Sequence, residues 1–263
     1  MSDSSDTSLP DPEPGPEPGD VTEDRLLGGR LTLLQSARGY RAGMDAALLA
    51  AACDTADGAR VLEAGCGPGA ALLAAACRRP GARFTGLERD RAAADLARRN
   101  IARNGLEASV DVVEGDVAAK FQRLDLPVFD AAFANPPFFD DPGALRAPDP
   151  AKRQAWMAEG GLAVWTGFLL KAVREGGSIT LIHRADRLAD LLALLAPKAG
   201  SFQVRPVHPH ADAPAKRVIV RALKTGKAPL RLLPPLVLHP REGAKHTPEA
   251  EAILRGEAGL DWL

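Results

Sequence analysis

Two short stretches carry most of the chemistry legible in this chain. The first is Glu63-Ala64-Gly65-Cys66-Gly67-Pro68-Gly69-Ala70, set between the apolar run Arg60–Ala64 and an Ala/Leu-rich run from Pro68 to Cys77. Glycines at this spacing allow a tight turn and let a ligand approach the backbone, while the following helix offers free N–H groups. Gly65-x-Gly67-x-x-Ala70 also fits the looser dinucleotide fingerprint, so the turn indicates a nucleotide-like ligand and leaves its identity open. Glu88 closes the next apolar run, where a carboxylate can accept both hydroxyls of a ribose. That role is common to NAD and S-adenosylmethionine sites and does not separate them. Asp116, in Glu114-Gly115-Asp116-Val117, is placed to accept from an adenine amino group, with a simple turn residue as the competing reading.

The second stretch is Asn135-Pro136-Pro137-Phe138, directly after the apolar run Phe129–Ala134. Two consecutive prolines lock the backbone and remove two N–H donors, leaving carbonyls without local partners. The Asn135 side-chain oxygen and the Pro136 carbonyl can then accept the two hydrogens of one planar amino group. Phe138 offers a face for stacking a base, worth about 1–3 kcal/mol in single-strand binders. Other candidates are weaker. His208-x-His210 sits beside Pro206 and Pro209, which indicate a loop, and no further ligand is close in sequence, so no metal is expected. His183, at a strand end, reads as structural. Cys53, Cys66 and Cys77 lack C-x-x-C spacing and read as small apolar side chains in a reducing compartment.

These residues need elements to position them, and the pattern supplies alternating strands and helices. Strands are expected at Arg60–Ala64, Arg83–Leu87, Ser109–Val113, Val128–Ala134, Gly177–Ile182 and Val218–Val220. Helices are expected over Pro68–Cys77, from an Asp90 cap to a stop at Asn104-Gly105, and over Leu162–Val173. Such alternation implies a mostly parallel α/β sheet covered on both faces. Between Asn135 and Leu162, Pro136, Pro137, Pro142, Gly143, Pro148 and Pro150 forbid regular structure, and Arg146, Lys152 and Arg153 place basic side chains in that loop.

Composition narrows the rest. At 263 residues, 46% hydrophobic and 25% charged, the chain is neither disordered throughout nor a small disulfide scaffold. The net charge of −1 hides an asymmetry: residues 1–24 hold eight carboxylates and no Lys or Arg, and the 33 basic residues against the other 26 carboxylates leave +7. Residues 1–24 are therefore expected to be a disordered acidic, Pro-rich tail, and residues 25–263 one domain. No secretory signal and no uncharged stretch of about 18 apolar residues is present, so a cytoplasmic location is expected.

In order, Glu63-x-Gly65-x-Gly67-x-Gly69, Glu88, Asp116 and Asn135-Pro-Pro-Phe138 resemble the class I S-adenosylmethionine-dependent methyltransferases that act on amino groups. The resemblance implies a Rossmann-like, seven-stranded, mostly parallel sheet with one antiparallel strand near its edge. Gln35, Gly39-Tyr40-Arg41 and Asp45-Ala46-Ala47-Leu48-Leu49 are similar to the N-terminal segment of the bacterial tRNA (valine) adenine-N6 methyltransferases, as are Leu236–His239 and Thr247–Leu254. It implies a cofactor site of Glu63, Gly65, Gly67, Gly69, Glu88, Asp116, Val117 and Asn135, with residues 25–55 covering the cofactor and Tyr40 closing over the methyl donor. Asn135, Pro136, Pro137 and Phe138 would hold the acceptor. The implied partner is RNA, tRNA first, with Arg146, Lys152, Arg153, Lys216, Arg217, Arg221, Lys224 and Lys227 as candidate phosphate contacts. Another amino acceptor (guanine N2 of rRNA or a protein glutamine amide), an NAD-linked oxidoreductase and a non-catalytic RNA-binding module stay open.

Overall fold

The structure, a computed structural model, describes residues 21–37, 43–138 and 161–262. Residues 1–20, Tyr40, and the basic residues Arg146, Lys152 and Arg153 lie outside the described residues.

A central sheet runs in the order β8-β9-β7-β6-β3-β4-β5. Its strands are β3 (Arg60–Ala64), β4 (Arg83–Glu88), β5 (Val110–Glu114), β6 (Phe129–Ala134), β7 (Val173–Arg184), β8 (Ala199–His208) and β9 (Arg217–Lys224). Only β9 is antiparallel to its neighbours, as expected from the resemblance. Two strands of two residues each, β10 (Arg231–Leu232) and β11 (Leu236–Val237), extend the expected seven strands by pairing in parallel with outer β8.

Period-two alternation along each strand feeds two apolar layers. In β3, Val61 packs with Leu72 and Leu73 of α2 (Ala70–Arg78) and Ile101 of α3 (Arg91–Arg103). Leu62 and Ala64 face Phe168 and Leu169 of α4 (Gly161–Ala172), with α5 (Leu188–Leu195) beside it. Buried on both faces, such strands need helices on both faces. Helix α1 (Met44–Ala51) and α6 (Pro248–Leu254) join the first layer. The Asp90 cap on α3 is present, its Oδ1 accepting from the Ala93 amide at 3.1 Å.

Two expectations are corrected. The ordered chain begins before residue 25: Val21–Leu26 forms β1, paired antiparallel with β2 (Leu31–Ser36). Leu31 and Leu33 bury one face of that hairpin, and the acidic residues of β1 find partners, Glu23 with Arg103 and Asp24 with Gln35 at 2.8 Å. Buried Asn100 of α3 then ties the hairpin to the glycine turn, accepting from Leu34 N–H (2.7 Å) and donating to the carbonyls of Leu34 and Pro68 (both 2.9 Å). The second correction is Pro206, which lies inside β8 and not in a loop. Val204 and His208 accept from Leu233 and Leu238 across the outer edge of β8. Pro206 shares that edge and falls in the gap between β10 and β11, where no ladder bond is asked of its nitrogen.

Candidate active site

The glycine turn closes β3 against the end of β4. The amides of Gly65 and Cys66 both donate to the Leu87 carbonyl, at 2.7 and 3.1 Å. Gly65, Gly67 and Gly69 all take positive φ (69°, 54° and 90°). A Cβ on Gly65 would stand 2.4 Å from the Trp165 indole, so this turn passes directly beneath α4. A Cβ on Gly67 would meet nothing within 4 Å, which leaves that backbone open to a ligand. Glu88, at the tip of β4, accepts from the Gly67 amide with one oxygen (2.8 Å) and from the Asp90 amide with the other (2.9 Å). Each oxygen keeps a lone pair beyond these bonds.

Beneath the turn, Glu63 is 3% exposed and its Oε2 has no hydrogen-bond partner. Burial drives its pKa well above the usual carboxylate range, opposed by an N–H from Leu72 and reinforced by Glu88. An open glycine backbone, a carboxylate presented beside it and an unclaimed buried polar atom suit a nucleoside-type cofactor. Asp116 is less free: its Oδ1 accepts from the Ala118 amide at 2.8 Å and Arg89 lies 3.5 Å from its other oxygen. Val117 packs partly buried against the α4 layer.

Strand register sets the second stretch beside the first. Ala64 pairs with Ala134, so the glycine turn and Asn135 leave adjacent parallel strands at the same edge. The Asn135 Oδ1 is fully shielded from solvent and Pro136 is buried, while Pro137 and Phe138 are half-buried. The Phe138 ring is held by residues that are distant in sequence. His183 of β7 meets it edge-to-face at 4.9 Å between centroids, and the Arg217 guanidinium of β9 lies 4.6 Å from its centroid. Arg217 in turn donates to Asp45 of α1 at 3.0 Å. His183 is 3% exposed and neither ring nitrogen has a partner. Burial, then the guanidiniums of Arg187, Arg217 and Arg184, push its pKa down to about 4 against the pull of Asp186. The ring is thus neutral at neutral pH. Trp165, His183, Arg217 and Asp45 carry no local sequence signal for these contacts.

Other expected residues separate in space. Because β9 is antiparallel, Arg217 begins it at the site edge and the strand then runs away from the site. Arg221 pairs with Asp54 (3.3 Å) before β3, and Lys224 reaches the Val173 carbonyl (2.9 Å), so neither shares the site as a phosphate contact. An open cleft of about 410 Å³ lies at that opposite edge, but its Arg221–Asp54 and Arg174–Asp130 pairs satisfy each other and no motif residue lines it. His210, His239 and His246 do approach one another, with centroids 5.9 and 5.1 Å apart. The Nδ1 atoms of His210 and His239 engage backbone carbonyls, and among the described residues no three such side chains could hold a metal. Among the described residues, no helix is long and apolar enough to cross a membrane. All three cysteines are free thiols.

The chain is similar in sequence and fold to known methyltransferases. The Methyltransferase small domain family matches residues 41–147. The tRNA1(Val) (adenine(37)-N6)-methyltransferase of Bacteroides thetaiotaomicron is 31% identical over 64% of this chain and 69% of its own length. The release factor glutamine methyltransferase of Chlorobaculum tepidum is 29% identical over 60% of this chain, which spans only 56% of that relative. Among solved structures, a predicted O-methyltransferase from Agrobacterium tumefaciens superposes with a TM-score of 0.69 at 27% identity, over 82% of this chain and 98% of its own.

Proposed function

We propose that this chain, which belongs to the methyltransferase small-domain family of class I S-adenosylmethionine-dependent methyltransferases, methylates the N6 amino group of an adenine in RNA, with tRNA the favoured substrate. One observation carries the reading: the register that sets Asn135-Pro136-Pro137-Phe138 beside the glycine turn, so that one edge serves both cofactor and acceptor.

S-adenosylmethionine supplies an electrophilic methyl group on a sulfonium. The protein's part is to bind and to orient. The Gly65–Gly69 turn would hold the cofactor against open backbone, with Glu88 accepting from its ribose hydroxyls, Asp116 and Val117 serving its adenine, and residues 25–55, Tyr40 included, proposed as its cover. At the acceptor, the Asn135 side-chain oxygen and the Pro136 carbonyl accept the two amino hydrogens. An adenine amino lone pair is delocalised into the ring, and accepting both hydrogens favours pyramidalisation and frees that pair. The new N–C bond forms as the S–C bond breaks, with the neutral thioether as leaving group, and the positively charged nitrogen then loses its proton to water, so no strong base precedes attack. Positioning and fixed dipoles then supply most of the acceleration. Phe138 stacks the base, which must leave its own stack to enter; a single-stranded loop makes that cheapest.

Support for RNA over a protein amide comes from the charge of +5 from residue 21 onward, 33 basic residues against 28 carboxylates. It also comes from the larger share of the tRNA methyltransferase relative that this chain spans, 69% against 56%. The reading includes a cytoplasmic location, where such RNA is found. The test is methyl-labelled S-adenosylmethionine with total RNA: label should appear as N6-methyladenosine and vanish with Asn135→Ala, and label reaching RNA undiminished in that variant would refute the site.

A further inference from the structure

On the proposed reading Phe138 stacks the acceptor, and its neighbours among the described residues are side chains with no assigned role. On one side lies the Arg217 guanidinium, 4.6 Å from the ring centroid. At 89° to the ring lies His183, 4.9 Å away. Each of these neighbours is itself fixed. Arg217 is anchored by Asp45 of α1 at 3.0 Å, and both side chains are less than a third exposed. His183 is buried, and its two nitrogens are unpartnered and sealed from solvent. The contact with Phe138 is made by the ring of residue 183 itself, edge-to-face, and uses neither nitrogen.

We propose that His183 and Arg217 are positioning residues that clamp the Phe138 ring, and that Asp45 links this clamp to α1, so that the acceptor platform is set by β7, β9 and α1 together. The inference rests on the reading that the acceptor lies at Phe138, and does not depend on whether that acceptor is an adenine or a glutamine amide.

The experiment uses the full chain with labelled S-adenosylmethionine, and reads KM and kcat on whichever of total RNA or extracted protein takes up label. Arg217→Met and His183→Ala should raise acceptor KM about 5- to 20-fold, with kcat and the affinity for S-adenosylmethionine changed less than about 3-fold. Asp45→Asn should reproduce part of the Arg217→Met effect. His183→Phe, which keeps a ring and deletes the nitrogens, should recover most of the acceptor affinity lost in His183→Ala. Unchanged acceptor KM in Arg217→Met, or His183→Phe as damaging as His183→Ala, would overturn the clamp; the latter would move the role to the imidazole nitrogens. A measurement without any acceptor guards against both failures being confused: a double-mutant cycle of Phe138→Leu with Arg217→Met should show about 2- to 5-fold coupling in the unfolding constant. No coupling would refute the clamp, whereas label going to protein instead of RNA would refute only the choice of acceptor.

Discussion

The two halves of the site are built by different means. The proposed cofactor half is made of backbone: three glycines at positive φ, amides donating to Leu87, and a Glu88 carboxylate fixed by two N–H groups. The proposed acceptor half is made of side chains brought from far apart, with Phe138 flanked by His183 and Arg217, and Arg217 held from α1. A backbone cradle is specified by a few adjacent residues and tolerates little change. A side-chain clamp can be retuned one residue at a time, which suits a scaffold whose relatives act on both tRNA and protein.

That difference can be broken deliberately. Asn135→Ala is expected to have the largest effect, a loss of about 10²–10³ in kcat, with S-adenosylmethionine affinity kept within about twofold by calorimetry. Gly65→Ala attacks the other half: its Cβ meets the Trp165 indole in a left-handed backbone, and cofactor affinity should fall by about 100-fold. Glu88→Ala removes acceptors for the Gly67 and Asp90 amides as well as for the ribose, and should weaken S-adenosylmethionine about 10-fold without altering acceptor KM. Asn100→Ala deletes the amide joining the hairpin to Pro68, and chemical denaturation should show a loss of about 2–3 kcal/mol.

The smallest effect concerns pH. The His183 pKa is depressed to about 4 in the folded chain from an ordinary 6.5. Above pH 6.5 the ring is neutral folded or unfolded, and stability does not depend on it. As pH falls from 6.5 towards 4 the unfolded chain takes up a proton that the folded chain refuses, so stability is lost, by roughly 1 kcal/mol per pH unit at most. Melting curves of His183→Phe should therefore fall less steeply than those of the wild type across that window, and parallel slopes would contradict the depressed pKa.

What the sequence revealed follows the same division. The strand–glycine turn–helix unit, the Asp90 cap and the stop at Asn104-Gly105 are local, each encoded within a few residues, and all appear in the structure. Asn135 and Phe138 were recognisable because two prolines fix the backbone around them. The partners of Phe138 are not, because β7 and β9 meet only through an antiparallel pairing across 32 or more intervening residues, which no periodicity announces. Arg221 and Lys224 were grouped with Arg217 by proximity in sequence, and the direction of β9 separates them. The β1–β2 hairpin escaped notice because its first strand is acidic and its buried face belongs to Leu31 and Leu33. Pro206 misled for a comparable reason: a missing N–H is harmful only on a laddered edge, and which edge it faces is a tertiary fact.

The most direct test of the acceptor assignment is a competition. Labelled S-adenosylmethionine is incubated with the protein, total RNA and release factor from a strain lacking this chain, followed by mass spectrometry of nucleosides and peptides. The account predicts that the label collects as N6-methyladenosine in RNA. Label collecting on a glutamine side chain, or as N2-methylguanosine, would contradict it.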